Sequence, residues 1–151
     1  MQFTTVLVAL LATAVSAAPA PAEVSKRACQ FVAASPPGVS VSKGSPQGVA
    51  FYPPSSAVGA CQLEAYFPAG FAISSSGAAA VNVIDVNGNS PGSIVGTITF
   101  ASSPTEPTRR FINSFGCRSY MAYRLEIAGA GPGSVSFPAT PGAGLRMSHS
   151  C

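Results

Sequence analysis

Acid–base chemistry downstream of residue 27 rests on few groups: one histidine, His149, one aspartate, Asp85, and the glutamates Glu64, Glu106 and Glu126. A serine nucleophile needs a histidine base within hydrogen-bond reach and a carboxylate to orient that base. His149 and Asp85 supply one of each, but no Gly-x-Ser-x-Gly elbow joining a strand to a helix accompanies them. His149 therefore reads as an ordinary position in the last strand. A glycosidase requires two carboxylates facing one cleft, one of them with a raised pKa. Glu64 and Glu126 form the best pair, because both are expected on the solvent side of their strands. Exposed carboxylates on strands ordinarily serve solubility. We accordingly assign no catalytic residue and no cofactor. With a single histidine and no Cys-x-x-Cys, we assign no metal site either.

The four cysteines, Cys29, Cys61, Cys117 and Cys151, all lie downstream of the N-terminal segment. An even number without a Cys-x-x-Cys predicts two disulfides, with three possible connectivities. By the alternation pattern Cys61 and Cys117 each open a strand and point inward, so we pair them. That leaves Cys29–Cys151 to tie the chain ends. In the chain-entropy picture the Cys61–Cys117 link contributes about 4 kcal/mol. Among the bases, Arg118, Tyr120 and Arg124 share one outward face and Arg146 is outward on another strand. If those strands are neighbours, the result is a cationic surface with one aromatic, suited to an acidic glycan or partner. The competing reading is sheet-surface charge that discourages aggregation. Arg109-Arg110 is read as part of a Pro-rich loop.

The elements that must position these groups are strands. No window repeats apolar residues at helical spacing, whereas alternation is frequent. In Arg118–Ile127 the positions Met121, Tyr123, Leu125 and Ile127 form an apolar face, with Cys117 in the same phase. Cys61, Leu63, Ala65 and Phe67 do the same in Cys61–Phe67. Ala79–Val86, the turn signal Asn87-Gly88 and Ser93–Phe100 read as a hairpin. Ser134–Phe137 and Leu145–His149 alternate near the end, and Gly38–Val41 and Val49–Tyr52 are shorter candidates. Residues 101–107 and 129–133 read as loops. Seven or eight short strands between Pro, Gly and Ser turns predict an all-β fold, an antiparallel β-sandwich or barrel.

The N-terminus carries targeting signals. The apolar run Val6–Ala12 is too short to span a bilayer, which takes about 20 apolar residues. Val15-Ser16-Ala17 fits signal-peptidase cleavage after Ala17, so residues 1–17 are read as a signal peptide. Residues 18–27, rich in Pro and Ala, end at Lys26-Arg27, a dibasic processing site, and are read as a propeptide. The expected mature chain is a single β domain, residues 28–151, secreted to the extracellular space or cell wall. Its six basic and four acidic residues leave a net charge of +2, too small for a nucleic-acid footprint. We expect no nucleic-acid partner, no membrane association and a monomer.

Three landmarks in order, Cys61-Gln62-Leu63-Glu64, Ser114-Phe115-Gly116-Cys117 and Gly142-Ala143-Gly144-Leu145-Arg146-Met147, resemble the fungal But-two C-terminal domain family over roughly Phe51 to Cys151. That resemblance implies a β-sandwich-like or barrel fold and a fungal origin. It also implies kinship with secreted proteins that include elicitors of hypersensitive responses in plants. The family takes its name from an intracellular protein that binds an activating enzyme of a ubiquitin-like modifier. A signal peptide and four cysteines set this chain apart from that pathway, and the resemblance supplies no catalytic residues. The expected function is that of a secreted non-enzymatic effector or elicitor, acting by surface recognition of a host or wall ligand, acidic or glycan. The alternatives are a wall-associated carbohydrate-binding or structural protein and, further off, a small hydrolase.

Overall fold

The alternation read from the sequence becomes burial in the computed structural model, which describes residues 28–151. The signal peptide and propeptide, with Ala17, Lys26 and Arg27, lie outside the described residues. The described chain is all-β, with eleven strands: β1 (Gln30–Ala33), β2 (Val39–Ser42), β3 (Gln47–Phe51), β4 (Ala60–Phe67), β5 (Ser74–Gly77), β6 (Ala80–Asn87), β7 (Ile94–Thr99), β8 (Thr108–Gly116), β9 (Met121–Ile127), β10 (Gly133–Phe137) and β11 (Gly144–His149). They form three antiparallel sheets: sheet I in the order β1-β11-β4-β8, sheet II in the order β3-β9-β6-β7, and sheet III in the order β2-β10-β5.

The inward phase is the expected one on β4 and β9. Cys61, Leu63, Ala65 and Phe67, and opposite them Met121, Tyr123, Leu125 and Ile127, are all buried. Fully burying a large apolar side chain contributes roughly 1.5–3 kcal/mol, so these two strands hold a large share of the core energy. Sheets I and II meet at both edges. Beyond β1, Ser35 and Ala50 exchange two backbone hydrogen bonds of 2.8 and 2.9 Å. At the other edge the Asn113 side-chain amide donates to the Val95 carbonyl at 2.6 Å. There Gly96 is needed for contact: a Cβ at that position would stand 2.6 Å from Ile112 Cγ2. Sheet III completes the enclosure through an aromatic cluster in which Phe67, Phe71, Phe100 and Phe137 meet at centroid distances of 5.1–6.2 Å.

Both expected disulfides are present, Cys61–Cys117 and Cys29–Cys151. Cys117, however, does not open a strand. It follows β8 in the connection to β9 and is half-buried. Eleven strands replace the seven or eight expected, because β1, β5 and β8 were not legible. Arg109-Arg110 lies in β8 rather than in a loop. A bulge opposite Leu63/Glu64 breaks the alternation of β8 at Ile112, and as a sheet edge the strand leaves Arg109, Arg110 and Phe111 exposed.

Candidate functional site

On the outward face of sheet II, Gly48 and Ala50 of β3 and Ala122 of β9 carry little or no side chain. Gly48 and Ala50 on β3 stand opposite Arg124 and Ala122 on β9. With so little side chain above the backbone, these positions make the floor of an open groove of about 340 Å³. Tyr120, immediately before β9, forms one wall, and its ring packs against that of Tyr52 at a centroid distance of 5.4 Å. Tyr52 and Tyr120 are 60% and 41% exposed, so part of each ring stays accessible to a ligand. Val86 of β6, 52% exposed, also lines the groove. Arg124 stands at the end of the groove with its Nε 2.6 Å from Glu126 Oε1. Stacking rings, a small-residue floor and a tethered guanidinium suit a ligand with a flat apolar face and a polar or anionic edge.

Beneath the groove the ring of buried Tyr123 packs between Phe51 and Phe115. Asp85 faces it across the β6–β9 pair. Burial, and secondarily the Asp85 charge, push the Tyr123 phenol well above the ordinary tyrosine range. Asp85 organises the β6–β7 connection: Oδ2 accepts from the Ser90 N–H at 2.8 Å, and its carbonyl accepts from Gly92. Gly88 makes this possible, since a Cβ there would lie 2.6 Å from Asp85 Oδ2. The hairpin is the expected one, with Gly88 required for close approach instead of for a left-handed turn.

The expected cationic face is not assembled. Tyr120 and Arg124 belong to the groove, and Arg118 is exposed in the β8–β9 connection. Arg146 lies on β11, in a different sheet, and its side chain is only 18% exposed. Its Nε contacts Glu64 Oε1 at 2.7 Å, and its guanidinium carbon sits 4.1 Å from the ring centroids of both Phe31 and Tyr66. Glu64 is likewise not on a solvent-facing surface. It is fully buried, and its other oxygen accepts from Arg109 Nε at 2.5 Å. The reason is cross-strand register: Arg146 is directly opposite Glu64, and long arginine and tyrosine stems cover the carboxylate. Glu64 on sheet I and Glu126 on sheet II therefore share no surface.

The letters Gly88-Asn89-Ser90-Pro91-Gly92 do spell Gly-x-Ser-x-Gly. They join two strands rather than a strand and a helix, and His149 is on the other four-stranded sheet. Buried His149 instead pairs through Nδ1 with the adjacent Ser150 Oγ at 3.1 Å. That hydroxyl also accepts from Val58 N, and Ser150 N donates to Val58 O, so the contact fastens the chain end to the loop before β4. Among the described residues no three His, Cys, Asp or Glu side chains converge as metal ligands, and no helix is long and apolar enough to cross a membrane.

No family model, curated protein or solved structure matches the chain. The groove thus stands on its own geometry. Tyr52 and the small floor residues Gly48, Ala50 and Ala122 went unread as site residues in the sequence. The outward series Gly48, Ala50, Tyr52, small then large, was the available signal for a floor and its wall.

Proposed function

We propose that the chain is a secreted, non-enzymatic recognition protein of the fungal effector or elicitor kind, and that the Tyr52–Tyr120 groove is its contact surface. The observation that carries this is the exposed tyrosine pair beside a floor of small residues. Two rings already packed together lose little rotamer freedom on binding, which is why tyrosine concentrates at recognition surfaces. Arg124 adds directional donors for a carboxylate or a sugar hydroxyl. The commitment of Glu64 to two arginines and of Asp85 to a turn also supports a recognition role. Two disulfides are compatible with an extracellular protein. The resemblance in the three cysteine- and glycine-containing landmarks supports the elicitor class, and the partner we propose is a host or wall surface, acidic or glycan.

The test is infiltration of leaf tissue with protein beginning at Ala28. We expect a defence response whose effective dose rises by roughly an order of magnitude or more in a Tyr52→Ala, Tyr120→Ala double variant, the size of a hot-spot loss. Ser150→Ala, which removes the one hydroxyl paired with the histidine, should act at the wild-type dose. A folded Ser150→Ala protein without response would overturn the non-enzymatic reading, and an unaffected tyrosine variant would overturn the groove.

A further inference from the structure

Sheet III carries a surface of unusual chemistry. Its inner face is fixed by buried Val39, Val41, Val135 and Phe137. Because side chains alternate, the outer face then receives Ser40 and Ser42 from β2, Ser134 and Ser136 from β10, and Ser74 and Ser76 from β5. The pairing register aligns them in two rows of three. Ser42, Ser134 and Ser76 form one row, and Ser40, Ser136 and Ser74 form the other. Strand geometry spaces the serine backbone positions by about 4.8 Å within a row and separates the rows by roughly 6.6 Å. The four serines on the outer strands are exposed, and the central two are half-buried. Ser76 and Ser134 share a hydrogen bond of 2.8 Å. The hydroxyls of Ser40, Ser42, Ser74 and Ser136 have no hydrogen-bond partner among the described residues.

This composition runs against what strands ordinarily carry. Serine is a weak strand former, and exposed sheet edges are usually guarded by charge or proline. Here β5 is Ser-Ser-Ser-Gly at an edge, with no charge in any of the three strands. An uncharged and non-aromatic face has nothing to offer an ion, and little apolar area for a protein partner. What it offers is a flat lattice of hydroxyls, each able to donate one hydrogen bond and accept two. We infer that the outer face of sheet III binds a neutral, hydroxyl-rich β-linked polysaccharide presented as a solid fibre. Such a fibre repeats equatorial hydroxyls along an extended chain, so many weak contacts form together once the face is aligned. A soluble oligosaccharide gains few of them and binds poorly. The inference is independent of the tyrosine groove, which lies on a different sheet.

The test is co-sedimentation of the Ala28–Cys151 protein with insoluble chitin and microcrystalline cellulose, both extended β-1,4-linked solids, at low and high salt. Retention on at least one solid should be insensitive to salt, because no charge is involved. Ser40→Asp with Ser76→Asp, at opposite corners of the array, should reduce retention roughly tenfold or more by leaving charges against a neutral surface. Ser40→Ala with Ser74→Ala removes hydroxyls without adding charge and should weaken retention as well, which decides the matter if the aspartate variant does not fold. Phe111→Ala, exposed on the β8 edge of sheet I, should be retained normally. The inference is overturned by no retention on either solid, by elution with salt, or by full retention of both folded serine variants. Loss of retention in Tyr52→Ala would place the glycan in the groove instead. An intact mass showing sugar already attached to these serines would mean that the face is covered covalently, and would also overturn it.

Discussion

At the residue scale the buried groups make unequal contributions, and register explains the difference. Glu64 has no contact with solvent and meets two cations, so losing its charge leaves both guanidiniums facing a neutral amide. Breaking a buried pair costs on the order of 3 kcal/mol, and we expect Glu64→Gln to fall near that value in urea unfolding. Arg146→Ala should cost more than Arg109→Ala. Arg146 is mostly covered and also loses two aromatic contacts, worth roughly 0.5–2 kcal/mol each, whereas the Arg109 side chain is 53% exposed and its pair is screened. Equal losses at the two arginines would refute this ranking. Tyr123 gives a second prediction. Its phenol pKa is raised in the folded state, so the folded chain holds that proton more tightly than the unfolded one. The resulting stability is complete below the unfolded value of about 10 and declines as pH rises beyond it. Its hydroxyl also has no hydrogen-bond partner among the described residues. Tyr123→Phe should therefore fold at least as well at neutral pH and lose less stability than wild type when urea midpoints are compared from about pH 9 to 11. A parallel alkaline decline in both proteins would remove Tyr123 from the account.

At the scale of elements, the sequence is legible where one face is buried and the other is polar. On β4, β9 and the β6–β7 hairpin, period-two alternation maps onto the inner faces, and the cysteine pairing followed from it. The three unread strands lack that contrast for different reasons. β1 is four residues long and exposes Phe31, because that ring is used against Arg146 instead of the core. β5 has no apolar residue and depends on pairing with β10. β8 shifts phase at its bulge, so neither half alternates long enough to show. Glu64 was misplaced because alternation specifies which face a side chain takes, not what covers that face. Its burial depends on three strands, with Arg146 arriving from β11, Arg109 from β8 and Tyr66 from two residues further along β4. The candidate site divides in the same way. Tyr120 and Arg124 were visible as outward residues, but joining them to Tyr52 required knowing that β3 borders β9, and excluding Arg146 required knowing that β11 does not.

On the scale of the whole molecule, two disulfides act on a fold whose sheets already close on one another. Cys29–Cys151 spans 122 residues and Cys61–Cys117 spans 56. If loop closure in the unfolded chain were everything, the longer link would contribute slightly more, about 5 against about 4 kcal/mol. Local surroundings point the other way. Cys29 and Cys151 flank β1 and β11, which pair in register over Gln30–Ala33, so their bond secures an edge that backbone hydrogen bonds also hold. Cys151 is exposed and Cys29 half-buried, and truncating either leaves little cavity. Cys61 is completely buried within the core, and its bond anchors the connection between β8 and β9, where the chain crosses from sheet I to sheet II. Replacing both of its sulfurs removes packed atoms as well as the crosslink, which adds a cavity cost. We expect Cys61→Ala with Cys117→Ala to be the more destabilising double variant in urea unfolding, despite its shorter loop. In Cys29→Ala with Cys151→Ala, amide-exchange protection should fall first in β1 and at the end of β11, with the β4, β6 and β9 amides still protected. If the terminal pair proves the costlier to lose, unfolded-chain entropy outweighs core packing in this molecule.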